Sequence, residues 1–191
     1  MATKEEKRIE ILKAAARIFS ANGFEKAKVE DIAKVAGIGK GTVYEYFDSK
    51  KSLFKQMISF GLDQYRLSIK EIIEENLHIR ARLVELAKYS AKYFNQHIDM
   101  IQMATQCNLL SNEMKQWLIE ERLAVFELIE QMIDEGIKKG ELRQNLNVEL
   151  ASFVIIGSIG EHFTKRVFFD GLNIEEIDFG EMVDVILDGL V

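Results

Sequence analysis

The chain has 191 residues, 48% hydrophobic and 29% charged, enough to bury the core of one domain, or of a small domain beside a larger one. A single cysteine, Cys107, rules out an internal disulfide and a thiolate zinc cluster, and no stretch comes near the roughly 18 apolar residues of a bilayer span. The net charge of −6 is uneven: residues 1–58 hold 12 Lys/Arg against 8 Asp/Glu, net +4, and the remainder 13 against 23, net −10, so a basic end able to meet phosphate precedes an acidic body.

Proline is absent, and the apolar residues recur at spacings of three and four rather than in alternation, which predicts an all-α fold of long helices joined by short turns. The amino terminus, Met1-Ala-Thr-Lys-Glu-Glu-Lys-Arg, runs into an amphipathic pattern without an apolar leader, and with the lone cysteine this predicts a cytoplasmic protein with no membrane partner. The first predicted helix, Lys4 to Asn22, carries Ile9, Leu12, Ala16 and Phe19 on one face and stops at Asn22-Gly23. Short helices follow, from Val29 to Ala36 and from after Gly39 to Phe47. Each is too short to persist alone in water, so the three must pack as one unit.

From Ser49 the predicted helices lengthen. One capped by Asp48-Ser49 reaches Asn76, another runs from Ile79 to Asn95, and a separate one from His97 to Leu110. The next, Glu113 to Lys139, ends on Lys138-Lys139-Gly140, cations at the carbonyl end of the dipole followed by a glycine stop. Asn147 caps a helix whose stretch Phe153 to Ile159 is apolar on nearly every side and must be covered all round. The last segment carries Phe179, Val183, Ile186, Leu187 and Leu190 as a helical stripe. Neither repeats nor a flexible linker interrupt the chain, so the two parts share the helix that starts near Lys50.

The segment Val29-Glu-Asp-Ile-Ala-Lys-Val-Ala-Gly-Ile-Gly-Lys-Gly-Thr-Val-Tyr-Glu-Tyr-Phe47 has the build of a helix-turn-helix: a short amphipathic helix, a glycine turn and a second short helix. Ile32, Ala33, Ile38, Val43 and Phe47 form its apolar seam, and Lys40, Thr42, Tyr44 and Tyr46 then point outward. A cation, a hydroxyl and two phenols suit phosphates and base edges in a major groove. With its flanks Gly23-Phe24 and Asp48-Ser-Lys-Lys-Ser-Leu-Phe54, the segment resembles the amino-terminal domain of the TetR family of transcriptional regulators over about residues 8 to 57. The resemblance implies a homodimer with a three-helix DNA-binding domain over residues 1–49 and a larger helical effector-binding and dimerisation domain over 50–191. It also implies a repressor of a palindromic operator, with Lys40, Gly41, Thr42, Tyr44 and Tyr46 on the DNA and Lys50 on a phosphate. Two positions depart from the family pattern. Lys28 stands where a capping threonine is usual, removing a cap worth roughly 1 kcal/mol or replacing it with a phosphate contact. Gly39 stands where serine is common.

Competing readings of the same residues are weaker. Gly37-Ile-Gly-Lys-Gly-Thr42 resembles a phosphate-cradling loop, but Lys34 occupies the required first glycine and the preceding segment has a helical period, so no enzyme is expected. A helical bundle whose glycines only make turns fits the periodicity but not the family match. His78, His97 and His162 lie apart from one another and from Cys107 in sequence, which predicts neither metal nor cofactor. Cys107 has no neighbouring cation to stabilise a thiolate.

The middle helices are expected to enclose the effector, with Tyr65, Tyr89, Tyr93 and Phe94 among its candidate neighbours. Met100, Met103, Met114, Trp117 and Phe126 complete that set, although aromatics and methionines at helical spacing are more often plain core. Their character favours an apolar or amphipathic effector. Ile133-Asp-Glu-Gly-Ile-Lys-Lys-Gly-Glu-Leu142 is similar to regulators of fatty-acid metabolism that respond to acyl-coenzyme A, though the stretch is widely shared in the family. Phe153, Ile156, Gly157 and Gly160 with Phe179, Val183, Ile186, Leu187 and Leu190 are the expected dimer interface, intramolecular core being the alternative. From a different class, the alternative function is a ligand-binding or protein-interaction module without specific DNA binding.

Overall fold

The structure, a computed structural model, describes residues 3–106 and 112–189, except for the side chains of 99–106, 114 and 115. Among the described residues there is no strand: the helices are α1 (Lys4–Lys26), α2 (Val29–Val35), α3 (Lys40–Tyr46), α4 (Lys50–Glu74), α5 (Ile79–Gln106), α6 (Asn112–Lys138), α7 (Val148–Thr164) and α8 (Phe179–Asp188). The all-α expectation holds. No helix among the described residues is long and apolar enough to cross a membrane.

The described residues form two compact units, one running to Gln64 and taking up the chain again at His97, the other made of Tyr65–Gln96 and the chain from Asn112 onward. In the first unit, α1 begins in a capping box that the sequence reading did not anticipate: Thr3 Oγ1 accepts from the Glu6 amide at 3.1 Å, and Glu6 Oε2 accepts from the Thr3 amide at 2.7 Å. Gly23, at φ +73°, breaks the helical path as expected, and a further turn follows it to Lys26. The break brings Phe24 back onto the core, where Phe19, Phe24 and Phe54 meet with ring centroids 5.0 to 5.7 Å apart. Around them Ile11, Leu12, Ile32, Val43, Phe47 and Leu53 are all buried to within about a hundredth of full exposure.

In the second unit, α4 after Tyr65, α5, α6, α7 and α8 bury a core that includes Ile69, Leu83, Ile129, Met132, Ile155 and Val183. α5 corrects one expectation. Instead of two helices divided near Asn95, one helix runs unbroken to Gln106. Asn95 and Gln96 lie exposed on the helix and His97 is half-buried, so the polar run is carried along α5 rather than ending it. The close of α6 is built from two glycines. A side chain at Gly136 would come within 3.1 Å of Leu142, and Gly140 turns the chain at φ +72°. α7 continues into a π-helical turn, Lys165–Phe169, and α8 is capped by Asp178, whose carboxylate accepts from the amides of Gly180 and Glu181.

Candidate nucleic-acid interface and effector pocket

The helix-turn-helix is assembled as its seam requires. α2 and α3 are joined by a turn in which Gly37 takes φ +66° and Ile38 donates its amide to Ala33 O at 3.0 Å. Ile32, Ala33, Val43 and Phe47 are buried beneath the pair and Ile38 half-buried, which fixes α3 by its inner face. Lys40, Gly41 and Tyr44 are exposed, and Thr42 and Tyr46 half-buried. A Cβ at Gly41 would meet nothing within 4 Å, so the chain's own packing does not demand glycine there. Lys28 and Gly39 are N-cap residues without a side-chain cap, as read from the sequence.

Both lysines assigned to phosphate have intramolecular partners. Lys40 Nζ donates to Glu30 Oε1 at 2.6 Å on the surface, and this hydrogen bond holds Glu30 below the usual carboxylate range and Lys40 above the usual ammonium range. Lys50 Nζ donates to Glu25 O at 3.1 Å and sits 4.7 Å from the Phe24 ring centroid, so it straps the start of α4 to the end of α1. On α1, Arg8 lies 5.9 Å over the Phe47 ring and donates to Gln56 Oε1 at 2.8 Å. Sequence periodicity could not have found that brace, because an arginine near the start of an amphipathic helix reads as surface.

In the second unit the structure brings Tyr65, Tyr89, Tyr93 and Phe94 into one aromatic cluster. Tyr65 is its centre, with ring centroids 5.8 Å from Tyr89, 4.7 Å from Tyr93 and 5.8 Å from Phe94. Its hydroxyl shares a buried 2.9 Å hydrogen bond with Ser90 Oγ, and burial pushes the Tyr65 phenol up to about 12. Burial raises Tyr93 as well, with Tyr89 adding to the effect. Two spaces flank the cluster. A surface groove of about 460 Å³ has Ile72, Tyr89, Ile177 and Phe179 in its walls and Glu85, Lys88, Lys92 and Glu175 along them. A second, smaller hollow of about 30 Å³ is bounded by Tyr65, Ser90 and Phe94 and by aliphatic residues of α5, α6 and α7.

The other effector candidates are not gathered there. Phe126 is buried against Phe153 at 4.7 Å between centroids, and Trp117, half-buried on α6, lines neither space. The side chains of Met100, Met103 and Met114, like Cys107 and Leu190, lie outside the described residues. The expected dimer face also divides. Phe179, Val183 and Ile186 are 3%, 1% and 8% exposed and belong to this chain's own core, which corrects their assignment to an interface. The stripe on α8 was read correctly as apolar, but α8 packs it inward. Gly157 and Phe153 are exposed, Ile156, Gly160 and Leu187 half-buried, and Leu150 and Val154 of α7 add exposed apolar surface that the sequence reading omitted.

The largest residue missed was Arg82, fully buried on α5. Its Nη1 donates to Ile73 O and to Glu135 Oε2, each at 3.0 Å, and Nη2 lies 3.8 Å from Glu141 Oε2. Glu141 also accepts from the Ile79 amide at 2.7 Å. The stretch from Ile133 to Leu142 therefore carries a structural hub, with Glu135, Gly136, Gly140 and Glu141 each in use. Among the described residues no three His, Cys, Asp or Glu side chains gather to hold a metal ion.

Comparison with known proteins gives a consistent picture. The family model for bacterial regulatory proteins of the tetR family matches residues 11–57, and that for the carboxy-terminal region of YsiA-like protein matches residues 54–174. The fatty acid metabolism regulator protein of Bacillus subtilis (strain 168) is 27% identical over 100% of this chain and 97% of its own length. The HTH-type transcriptional repressor KstR2 of Rhodococcus jostii (strain RHA1) is 33% identical, covering 78% of this chain and 74% of its own. Among solved structures, a tetR-family regulator from Mesorhizobium loti superposes with a TM-score of 0.84 at 18% identity, covering 99% of each chain. FadR from Bacillus subtilis, crystallised in complex with stearoyl-CoA, superposes with a TM-score of 0.71 at 24% identity, covering 94% of this chain and 95% of that one. At these identities the superpositions speak to the fold alone.

Proposed function

The chain belongs to the TetR family of bacterial regulatory proteins, and on that premise we propose that it is a cytoplasmic homodimeric repressor that releases a palindromic operator when an apolar or amphipathic effector binds. The observation that carries the DNA-binding half is the division of labour in α3: its inner residues are buried in the seam, while Lys40, Gly41, Thr42, Tyr44 and Tyr46 have no comparable role inside the chain. Lys28, Gly39 and Lys50 flank that row. Residues 1–49 form the DNA-binding part, and 50–191 the effector and dimerisation part. Two copies present two recognition helices to half-sites about 34 Å apart, through an interface on the exposed face of α7.

Tyr65, Tyr89, Tyr93 and Phe94 are the effector's neighbours. The likeness to a regulator of fatty acid metabolism, and to a fold crystallised with stearoyl-CoA, favours an acyl-CoA. Its greater affinity for the released arrangement drives the switch. A mobility shift with the protein's own upstream DNA at graded salt tests the reading. Lys40→Ala and Lys50→Ala are each expected to weaken binding to all sequences and to reduce the salt slope by about 0.9. In both lysines the intramolecular partner must be exchanged for phosphate, so an unchanged slope refutes that residue's assignment. No retardation of any upstream fragment refutes the operator.

A further inference from the structure

The helix-turn-helix holds an anion of its own against one of the lysines assigned to phosphate. Glu30 is the second residue of α2 and Lys40 the first of α3, and across the turn between them Lys40 Nζ donates to Glu30 Oε1 at 2.6 Å. The two side chains are 58% and 49% exposed, so water and salt screen the pair and it adds little to stability. The fold of this unit rests instead on the buried seam beneath, with Ile32, Val43 and Phe47. Glu30 remains ionised: the Lys40 hydrogen bond holds its carboxyl below the usual range, and the charge of Lys28 acts in the same direction. One carboxylate thus interacts with two lysines of the proposed DNA surface.

A carboxylate and a DNA phosphodiester are rivals for one ammonium, since each is a singly charged oxyanion that accepts a short, charge-assisted hydrogen bond. The ammonium cannot serve both without drawing two anions toward each other. Its donors sit on a flexible four-carbon stem, so it can turn from one to the other with no movement of the backbone. Lys50 is placed differently. Its partners are the Glu25 carbonyl and the Phe24 ring, both uncharged, so leaving them strands no anion. Lys40, in contrast, leaves a carboxylate behind when it turns to a phosphate.

Resting on the DNA-binding reading above, we propose that Glu30 is an intramolecular competitor for DNA, occupying the Lys40 ammonium in the free protein until a backbone phosphate displaces it. Glu30 acts on a phosphate contact and not on a base, so it lowers affinity by the same factor on every sequence. On DNA without an operator, where phosphate contacts supply essentially all of the binding, that factor restrains indiscriminate attachment. Thr42, Tyr44 and Tyr46 are left to read the bases.

The test measures fluorescence anisotropy of the full-length protein on its own upstream DNA and on an unrelated duplex of equal length, at one fixed salt concentration. Glu30→Gln keeps the shape of the side chain and removes its charge, and is expected to bind both duplexes about two- to fivefold more tightly than wild type. In a Lys40→Ala background the same substitution should give a clearly smaller gain, because the bond it would release is already gone. In the free protein, carbon-13 titration of the Glu30 carboxyl should read below the usual carboxylate range in wild type and return toward it in Lys40→Ala. Thermal melts report the folding of each variant. Unchanged or weaker binding by folded Glu30→Gln overturns the competitor. Equal gains with and without Lys40 make Glu30 a general surface charge and overturn its action through Lys40, and a Glu30 titration that Lys40→Ala does not move overturns the pair itself. If neither wild type nor Glu30→Gln binds either duplex, the DNA-binding reading falls and this inference with it; if wild type binds and Glu30→Gln binds no better, only this inference falls.

Discussion

In the first unit Phe19, Phe47 and Phe54 are buried, while the cation, hydroxyl and phenols of α3 lie outside them. In the second, Tyr65 and Phe94 take part in the core and also bound a hollow of about 30 Å³, and Phe126, of the same chemical type, packs on Phe153. The difference concerns what each surface must recognise. A DNA-facing helix is polar outside and apolar inside, so role follows residue type. A pocket for an apolar ligand is lined by the same residues that fill a core, so role follows position alone.

That contrast can be broken or sharpened by mutation. The largest effect is expected for Phe47→Ala, which removes a ring that is 1% exposed from a small core. It should cost about 3–5 kcal/mol, enough to abolish operator binding at temperatures where most helical circular dichroism persists. Loss of both signals together would show that the two units unfold as one. Arg82→Ala comes next. It leaves Ile73 O and Glu135 without their donor and should cost about 2–3 kcal/mol in urea denaturation, less than for a fully buried pair because Glu135 is half-exposed. Arg82→Lys should recover little of this, since an ammonium cannot reach both acceptors in one plane.

Val183→Ala and Phe153→Glu separate core from interface. The first should lower stability by about 2 kcal/mol and leave association unchanged; on the α7 interface proposed above, the second should abolish self-association in sedimentation experiments by placing like charges across a two-fold axis. The reverse pattern would return α8 to the interface. The smallest effect concerns acid. Burial, reinforced by Arg166, holds His162 below its ordinary 6.5, so as the pH falls the unfolded chain takes up a proton first. Stability present above that value is lost as the pH drops below it, and His162→Phe should flatten melting temperature against pH on the acid side of 6.5.

The amphipathic spacing, the glycine stops at Gly23, Gly37 and Gly140 and the absence of proline made the helices legible along most of the chain. The α2–α3 seam was legible because its residues are local neighbours, at most fifteen positions apart. The supposed break near Asn95 failed because a polar residue can as well lie on the exposed face of a continuing helix, and Asn95 and Gln96 do so on α5. Arg82 was invisible for the opposite reason: its partners Ile73, Glu135 and Glu141 come from three places in the chain, and only their convergence permits a guanidinium to be buried.

By itself, then, the sequence determined the all-helical fold, the helix-turn-helix and the polar row that faces away from its seam, since these depend on periodicity and on neighbours within a few turns. Tertiary structure alone decided that Phe179, Val183 and Ile186 face inward, that Lys50 is strapped to Glu25, and that Tyr65 meets Ser90 through its hydroxyl and Tyr89 through its ring. Those outcomes depend on which helix covers which face, and hydrophobicity is non-directional: it specifies that an apolar stripe must be covered without specifying by what.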